Sequence, residues 1–389
     1  MEPTDYPAPV EASEDALGGM SAPSEPIDRT TRRFLKVMLG VLTAAAVGLV
    51  ILLSIMLRPD SGPSVVSPRL VGKSPLDVVK VIFTTGKDGP LKTPLGVAFD
   101  ADGGIWIADT GNSRVAVFTA SGKFVALVGD QDGPGKLYAP YGLTVDSAND
   151  RAYVADYTAG AVRVYTTSGR YVESIPSSEQ SLDVFGPNGF TPFEVKVVGN
   201  KIVVASNDGL YFFSRRGVVT ARWGGASRGS APGSFNFPDA FDYDPALKRY
   251  YVADTLNRRV KALDADGKVL WTSGRPDAAG KIVGFWQLPR GITVGAEGNL
   301  FVVDTFRFDE TGVGAGFFVV LSKDGKLLSE FGRVGTEDDA FSFPEKIAVG
   351  SAGVMAVADR ENHRVVLFTV KTLPVPTERE RSSYDSPRD

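Results

Sequence analysis

Five aspartates stand at matching points of this chain. Asp109, Asp156, Asp254, Asp304 and Asp359 each close a short apolar run, and Arg114, Arg259 and Arg364 follow three of them at a spacing of five. A ring of carboxylates can hold a divalent cation. It can equally accept backbone N–H bonds in turns while each arginine pairs with a nearby carboxylate. Repetition favours the second reading, because chemistry rarely needs one group in every copy whereas a repeated backbone does. His363 is the only histidine and there is no cysteine. That removes thiol chemistry, disulfides and the usual zinc centres, and it leaves a Ser-His-Asp relay dependent on one turn residue. Calcium needs only oxygen ligands, and Asp239 and Glu345 are the carboxylates best suited to it. The expectation is therefore no catalytic residue, no metal and no cofactor, with calcium as the one ion this inventory can serve.

These residues sit in a sentence used six times. From Pro94 it runs Pro-Leu-Gly-Val-Ala-Phe-Asp, an Asp102-Gly103 turn, Ile105 to Asp109, Thr-Gly-Asn-Ser-Arg114-Val, Phe118, a Gly122 turn and a strand to Gly129. It restarts at Pro140, Pro192, Pro238, Pro289 and Pro344, at intervals of roughly 46 to 55 residues. Four short alternating strands per copy at that period predict a β-propeller. The sixth copy stops after its third strand. Val78–Phe83 has the shape of a fourth strand and is expected to complete it, which predicts an all-β, six-bladed ring over residues 78–370. Closure of this kind removes open sheet edges.

The tight Gly-containing turns, such as Asp102-Gly103 and Asp324-Gly325, fall on one face of the disc. The long connections between blades fall on the other, and blade five also stretches its central link over 306–316. Long loops cost little stability and usually carry binding groups. The apolar residues three before each proline (Leu137, Phe235, Trp286, Phe341) are expected to pack between blades. Positions just after the proline vary instead: Leu95, Tyr141, Phe193, Asp239, Arg290 and Glu345. They should ring the mouth of the central channel, either as a solvated collar with an internal ion pair or as a ligand site. Tyr141, Phe193, Asp239, Arg290 and Glu345 are the candidate ligand-binding residues. Phe285, Trp286, Phe306 and Phe308 are the candidate partner surface, joined on that face by Phe185 and Phe190.

Compartment is read from the N-terminus. Phe34 to Leu57 is about 24 residues long with Lys36 as its one charge, enough to cross a bilayer at about 1.5 Å per residue. Arg29, Arg32 and Arg33 precede it, so the N-terminus is expected inside and the remainder outside. A cleaved signal peptide is the rival, weakened by the long leader, the long apolar run and the lack of small-x-small cleavage residues after Leu57. The Pro-, Ser- and acid-rich 1–33 and the polar 371–389 read as disordered tails, and 58–77 as a Pro-rich spacer. Net charge is −4 over 389 residues with no basic patch, which gives no pull toward nucleic acid.

The unit Pro-x-Gly-Val-Ala-Phe-Asp … Ala-Asp-Thr-Gly-Asn-Ser-Arg-Val resembles the NHL repeat over about residues 78–370. Copy one fits best. Copies four and six follow, with Asp254-Thr-Leu-Asn257-Arg-Arg259 and Asp359-Arg-Glu-Asn362-His-Arg364; copy three has Ser206 in place of the aspartate. The resemblance implies a recognition module, sometimes the outer part of a membrane protein. A minority of relatives are peptide-amidating lyases or calcium-dependent lactonases, and the lyase chemistry needs a histidine cluster that this chain lacks. The expected protein is a single-pass, membrane-anchored, non-catalytic propeller that binds a protein, peptide or glycan on its long-loop face. A calcium-dependent hydrolase using the channel and a fixed subunit of a membrane complex are the alternatives.

Overall fold

The computed structural model describes residues 75–370, apart from 178–179, 181, 186–188, 226, 274, 277–281, 284–285, 296, 309–313 and 351–352, together with 373. The apolar run 34–57, both tails beyond residue 373 and before 75, and most of the spacer lie outside the described residues. Among the described residues no helix is long and apolar enough to cross a membrane.

Six four-stranded antiparallel sheets follow one another along the chain. In blade one, Gly96–Phe99, Ile105–Asp109, Arg114–Phe118 and Phe124–Val128 lie side by side from channel to rim. Blades two to five repeat this order, opening with the inner strands Pro140–Asp146, Glu194–Val198, Pro238–Asp244 and Pro289–Val294. Blade six has only three strands of its own, from Pro344–Val349 to Arg364–Val370. Its fourth is Leu76–Ile82, which pairs antiparallel with Arg364–Val370 from Leu76↔Val370 to Ile82↔Val365. The donated strand thus begins two residues before the expected segment and ends one before it. Phe83 falls outside and is exposed.

Because each sheet is apolar on both faces, the core is divided among the gaps between blades rather than gathered at the centre. There are six such clusters, one for each gap. The closing gap joins Ala348, Ala356, Val365 and Leu367 of blade six to Val97, Ile105, Ile107 and Phe118 of blade one. Ile82 belongs to that cluster, while Leu76 on the same strand packs into the gap between blades five and six. One strand therefore bears on two cores. Leu137, Phe235, Trp286 and Phe341 are all buried in inter-blade clusters, as their recurrence predicts.

The repeated aspartates are latches. Asp109 Oδ1 accepts the Lys92 N–H at 2.7 Å, and its Oδ2 accepts Asn112 Nδ2 and Arg114 Nε. Asp254 and Asp359 repeat the set with Asn236 N, Asn257 and Arg259, and with Ser342 N, Asn362 and Arg364. Asp156 and Asp304 hold two or more backbone N–H groups each, and Ser206 keeps a single bond from Thr191 N. Each carboxylate ties the end of its strand to the loop entering the blade about 17 residues upstream. The threonine after three of them reaches forward: Thr110, Thr255 and Thr305 Oγ1 donate to the carbonyls of Pro140, Pro289 and Pro344 at 2.6 Å. Every inner strand so held starts at a defined height.

The two strands that flank the long central link of blade five run on into it. Leu300–Phe308 and Gly314–Leu321 stay paired out to Phe308↔Gly314.

If the donated strand closes the ring through its buried side chain, Ile82→Ala should lower the unfolding free energy in urea by about 2–5 kcal/mol. Val79→Ala, on the same strand but 57% exposed, should stay within about 0.5 kcal/mol of the parent. Equal effects from the two would reject this account.

Candidate functional site

The inner strands of blades two, four, five and six each carry an irregularity just after the opening proline. The register slips between Pro140 and Leu143, Pro238 and Ala240, Pro289 and Gly291, and Pro344 and Ile347. Blades one and three pair without a slip. A β-bulge leaves one residue out of the ladder and re-aims its side chain. The residues inside these four slips include Tyr141, Asp239, Arg290 and Glu345. Glycine makes room for the arrangement: a Cβ at Gly142 would lie 2.6 Å from the Phe193 carbonyl oxygen, and one at Gly291 would lie 2.5 Å from that of Glu345.

All five candidate mouth residues come together. Arg290 Nη1 donates to Tyr141 Oη at 2.8 Å and to Glu345 Oε2 at 3.0 Å, and lies 3.2 Å from Asp239 Oδ2. One guanidinium thus joins blades two, four, five and six across the channel mouth. Phe193 of blade three meets the Tyr141 ring at 5.8 Å, edge to face. Two cations missed in the sequence complete the network. Arg360, from the second turn of blade six, pairs with Glu345 Oε1 at 3.2 Å. Lys346 sends Nζ to the Asp239 backbone carbonyl, approaches Glu194 Oε2 at 3.6 Å and lies 5.4 Å from the centre of the Tyr141 ring. Its position two after a proline gave no signal, since only the bulge turns it inward.

Burial sets the electrostatics. Asp239, Glu194, Glu345 and Lys346 are nearly inaccessible. Burial pushes the Asp239 carboxyl up, against the pull of Arg290 and Lys346, and does the same to Glu194 against Lys346. Burial would lower Arg290, but the Glu345, Tyr141 and Asp239 charges outweigh it and hold the guanidinium firmly protonated. The Tyr141 phenol is pushed far up by burial and then by Asp239. Although Arg290 lies within ion-pair distance of Asp239 Oδ2, the contact is off the hydrogen-bond line, so Oδ2 has no hydrogen bond; Arg290 Nε has none either. Calcium at Asp239 and Glu345 would have to displace this internal cation. Among the described residues no group of three or more His, Asp or Glu side chains is arranged to hold a metal.

Beside the ionic half of the mouth lies an aromatic half. Tyr157, from the second turn of blade two, is 5.6 Å from Phe193 and 6.4 Å from Tyr141. Phe193 in turn is 5.7 Å from Phe237, which precedes the inner strand of blade four. Tyr157 and Phe237 are partly exposed, whereas Phe193 is buried. Neither Tyr157 nor Phe237 was singled out by the sequence: Tyr157 stands where blades one, four and five hold threonine, and Phe237, matched by Phe343 in blade six, shares its point with Thr93, Ala139 and Leu288 in other blades.

The expected partner surface requires correction at Trp286. Its ring is 1% exposed, packs with Tyr251, Ile292 and Val302, and donates Nε1–H to Ser273 Oγ at 3.1 Å. The indole fills the gap between blades four and five, where apolar burial outweighs display. Phe306 and Phe308 lie at the end of the strand Leu300–Phe308 of blade five, and Phe285 lies outside the described residues. Phe185 and Phe190 fold inward onto Tyr211 and Phe213. His363 is exposed in its turn and accepts the Thr93 N–H at Nδ1, 3.0 Å away.

Removing the central cation should be costly. Arg290→Leu leaves two carboxylates buried without it and should destabilise the fold by about 3–5 kcal/mol at pH 7. An acid whose folded pKa is raised loses stability as pH rises from its unfolded value through its folded value. Without Arg290 that window for Asp239 extends upward, so the deficit should shrink when melting is measured at pH 5. A deficit independent of pH would show that lost packing, and not uncompensated charge, is responsible.

Comparison with known proteins places this geometry. Residues 91–118 and 341–368, which make up much of blades one and six, match the NHL repeat model. The hydrazine synthase of Kuenenia stuttgartiensis is similar at 14% identity and TM-score 0.51, over 72% of this chain and 77% of that one. A streptogramin B lyase matches at 14% and 0.50, over 75% and 97%. A structural genomics protein of unknown function from Bacteroides thetaiotaomicron matches at 16% and 0.50, over 76% and 74%. At such identities the likeness is one of fold. Among the described residues the fold is an all-β, six-bladed propeller, two stretches of which match the NHL repeat model.

Proposed function

We propose that the propeller is a non-catalytic recognition module that holds a macromolecular ligand (protein, peptide or glycan) at the channel mouth on its long-loop face. The observation that carries this reading is the mouth itself. Four bulges direct a tyrosine, two acids and an arginine into a rigid network, with partly exposed aromatic rings beside it. Blade packing alone requires none of these residues, since blades one and three do without the bulge. A pre-formed rim of this kind lowers the ordering cost of binding. Arg290, set between Asp239 and Glu345, weighs against the calcium-dependent hydrolase alternative, because the carboxylates a metal would use are already compensated.

Recognition should depend on Tyr157, which is partly exposed and contributes to no inter-blade cluster. The full chain, extracted in mild detergent, should retain a stoichiometric partner that Tyr157→Asp releases without a change in melting temperature. A partner retained equally by the variant would favour the alternative of a fixed subunit held through another surface.

Display outside the membrane is part of the same proposal. It rests on the apolar run 34–57, with Arg29, Arg32 and Arg33 on its N-terminal side. Leu76 pairs with Val370 at the tight-turn end of blade six, so the tether would reach the disc from that side. The long-loop face would then point away from the bilayer. Because the chain has no cysteine, Val334→Cys in the loop between blades five and six gives a single label site. An impermeant maleimide should modify it on intact cells. Labelling only after lysis would reject the outward orientation.

A further inference from the structure

One cation at the mouth has no acidic partner. Arg228 lies in the loop from blade three to blade four, is exposed, and holds its guanidinium 4.8 Å from the centre of the Phe237 ring. Among the described residues no carboxylate comes within ion-pair distance of it. The other mouth cations are committed: Arg290 to Asp239 and Glu345, Lys346 to Glu194, Arg360 to Glu345 and Glu361. The mouth carboxylates Asp239, Glu194 and Glu345 are buried, so the uncompensated charge offered outward beside the aromatic rings is positive.

The guanidinium is also pre-set. Phe237 has φ of 52°, a left-handed conformation that a bulky residue before proline adopts at a cost. Thr93 and Phe343, at the same point of blades one and six, share it, so the turn belongs to the repeat. Phe343 gives blade six a ring at the same point; in blade four the Phe237 ring meets Phe193 on one side and carries Arg228. Stacking holds the planar fork in place with donors free, which suits a carboxylate. From Arg228 a row of ring contacts runs through Phe237 and the buried Phe193 to Tyr157, with Phe237 and Tyr157 partly exposed. Tyrosine and arginine around a desolvated centre are the composition of protein-recognition hot spots.

We propose that this arc docks an acidic peptide segment, with a carboxylate of the peptide on Arg228 and a neighbouring apolar or aromatic side chain against Phe237 and Tyr157. This rests on the recognition reading of the mouth and names its ligand class. An anionic glycan could supply the same charge, but it would leave the hot-spot composition unaccounted for.

The test is a synthetic heptapeptide library with Glu and Gln, and Tyr and Ala, equally represented, captured on the immobilised propeller and read by mass spectrometry. Polygalacturonate is measured in parallel. Peptides containing Glu should be enriched by about fivefold to tenfold over their Gln counterparts, and Arg228→Gln should abolish the preference with unchanged melting. An undiminished preference in Arg228→Gln, or no preference in the parent, would overturn the proposal. Polygalacturonate binding that is lost in Tyr157→Asp, with no peptide captured, would overturn the peptide class while leaving recognition at the mouth intact. Failure of both probes, together with a partner retained by Tyr157→Asp in detergent, would remove both readings.

Discussion

Everything in this molecule depends on one antiparallel pairing, that of Leu76–Ile82 with Arg364–Val370. Each blade is apolar on both faces and cannot be buried alone. Its neighbours must cover it, and the first and last blades must cover one another. Without the donated strand the gap between blades six and one would lose Ile82, the gap between blades five and six would lose Leu76, and a sheet edge would stand open. The central channel exists only because the ring is shut.

Closure then supplies a frame against which small deviations acquire meaning. The aspartate latches and the threonine bridges set the height at which the inner strands begin. Within that regular scaffold the bulges of blades two, four, five and six are local departures, each re-aiming side chains beside the opening proline. Tyr141, Asp239 and Glu345, from three blades, can therefore meet on the guanidinium of a fourth, although Tyr141 and Arg290 are 149 positions apart. A buried cluster of this kind stabilises only when nearly every charge is compensated. Here three cations answer three acids at the mouth, with Asp239 Oδ2 and Arg290 Nε left short of a hydrogen bond.

The two faces of the disc are built differently for the same topological reason. Strands one and three end in tight turns on one face, while the chain passes between blades on the other. Length, and with it chemical variety, accumulates only on the second. The aromatic arc, Arg228 and the ionic mouth all lie there. The donated strand enters from the opposite side.

Periodicity carried the architecture into the sequence. A repeated alternation of apolar residues, a proline at each restart and a missing sixth outer strand are local signals, and each required only residues near one another in the chain. They determined six blades, the partner of the donated strand, the latch role of Asp109 and its equivalents, and the convergence of Tyr141, Phe193, Asp239, Arg290 and Glu345. What the repeat could not encode is which way a side chain turns. Trp286 satisfied two expectations at once, inter-blade packing and surface display, and only the depth of the gap between blades four and five decided for burial. Lys346, Arg360, Tyr157 and Phe237 drew no notice because their importance comes from neighbours on other blades. Bulges shift one residue of one ladder, and ring contacts join turns that are distant in sequence. Both are products of three-dimensional closure, so the site's chemistry was settled by the fold while its frame was already written in the chain.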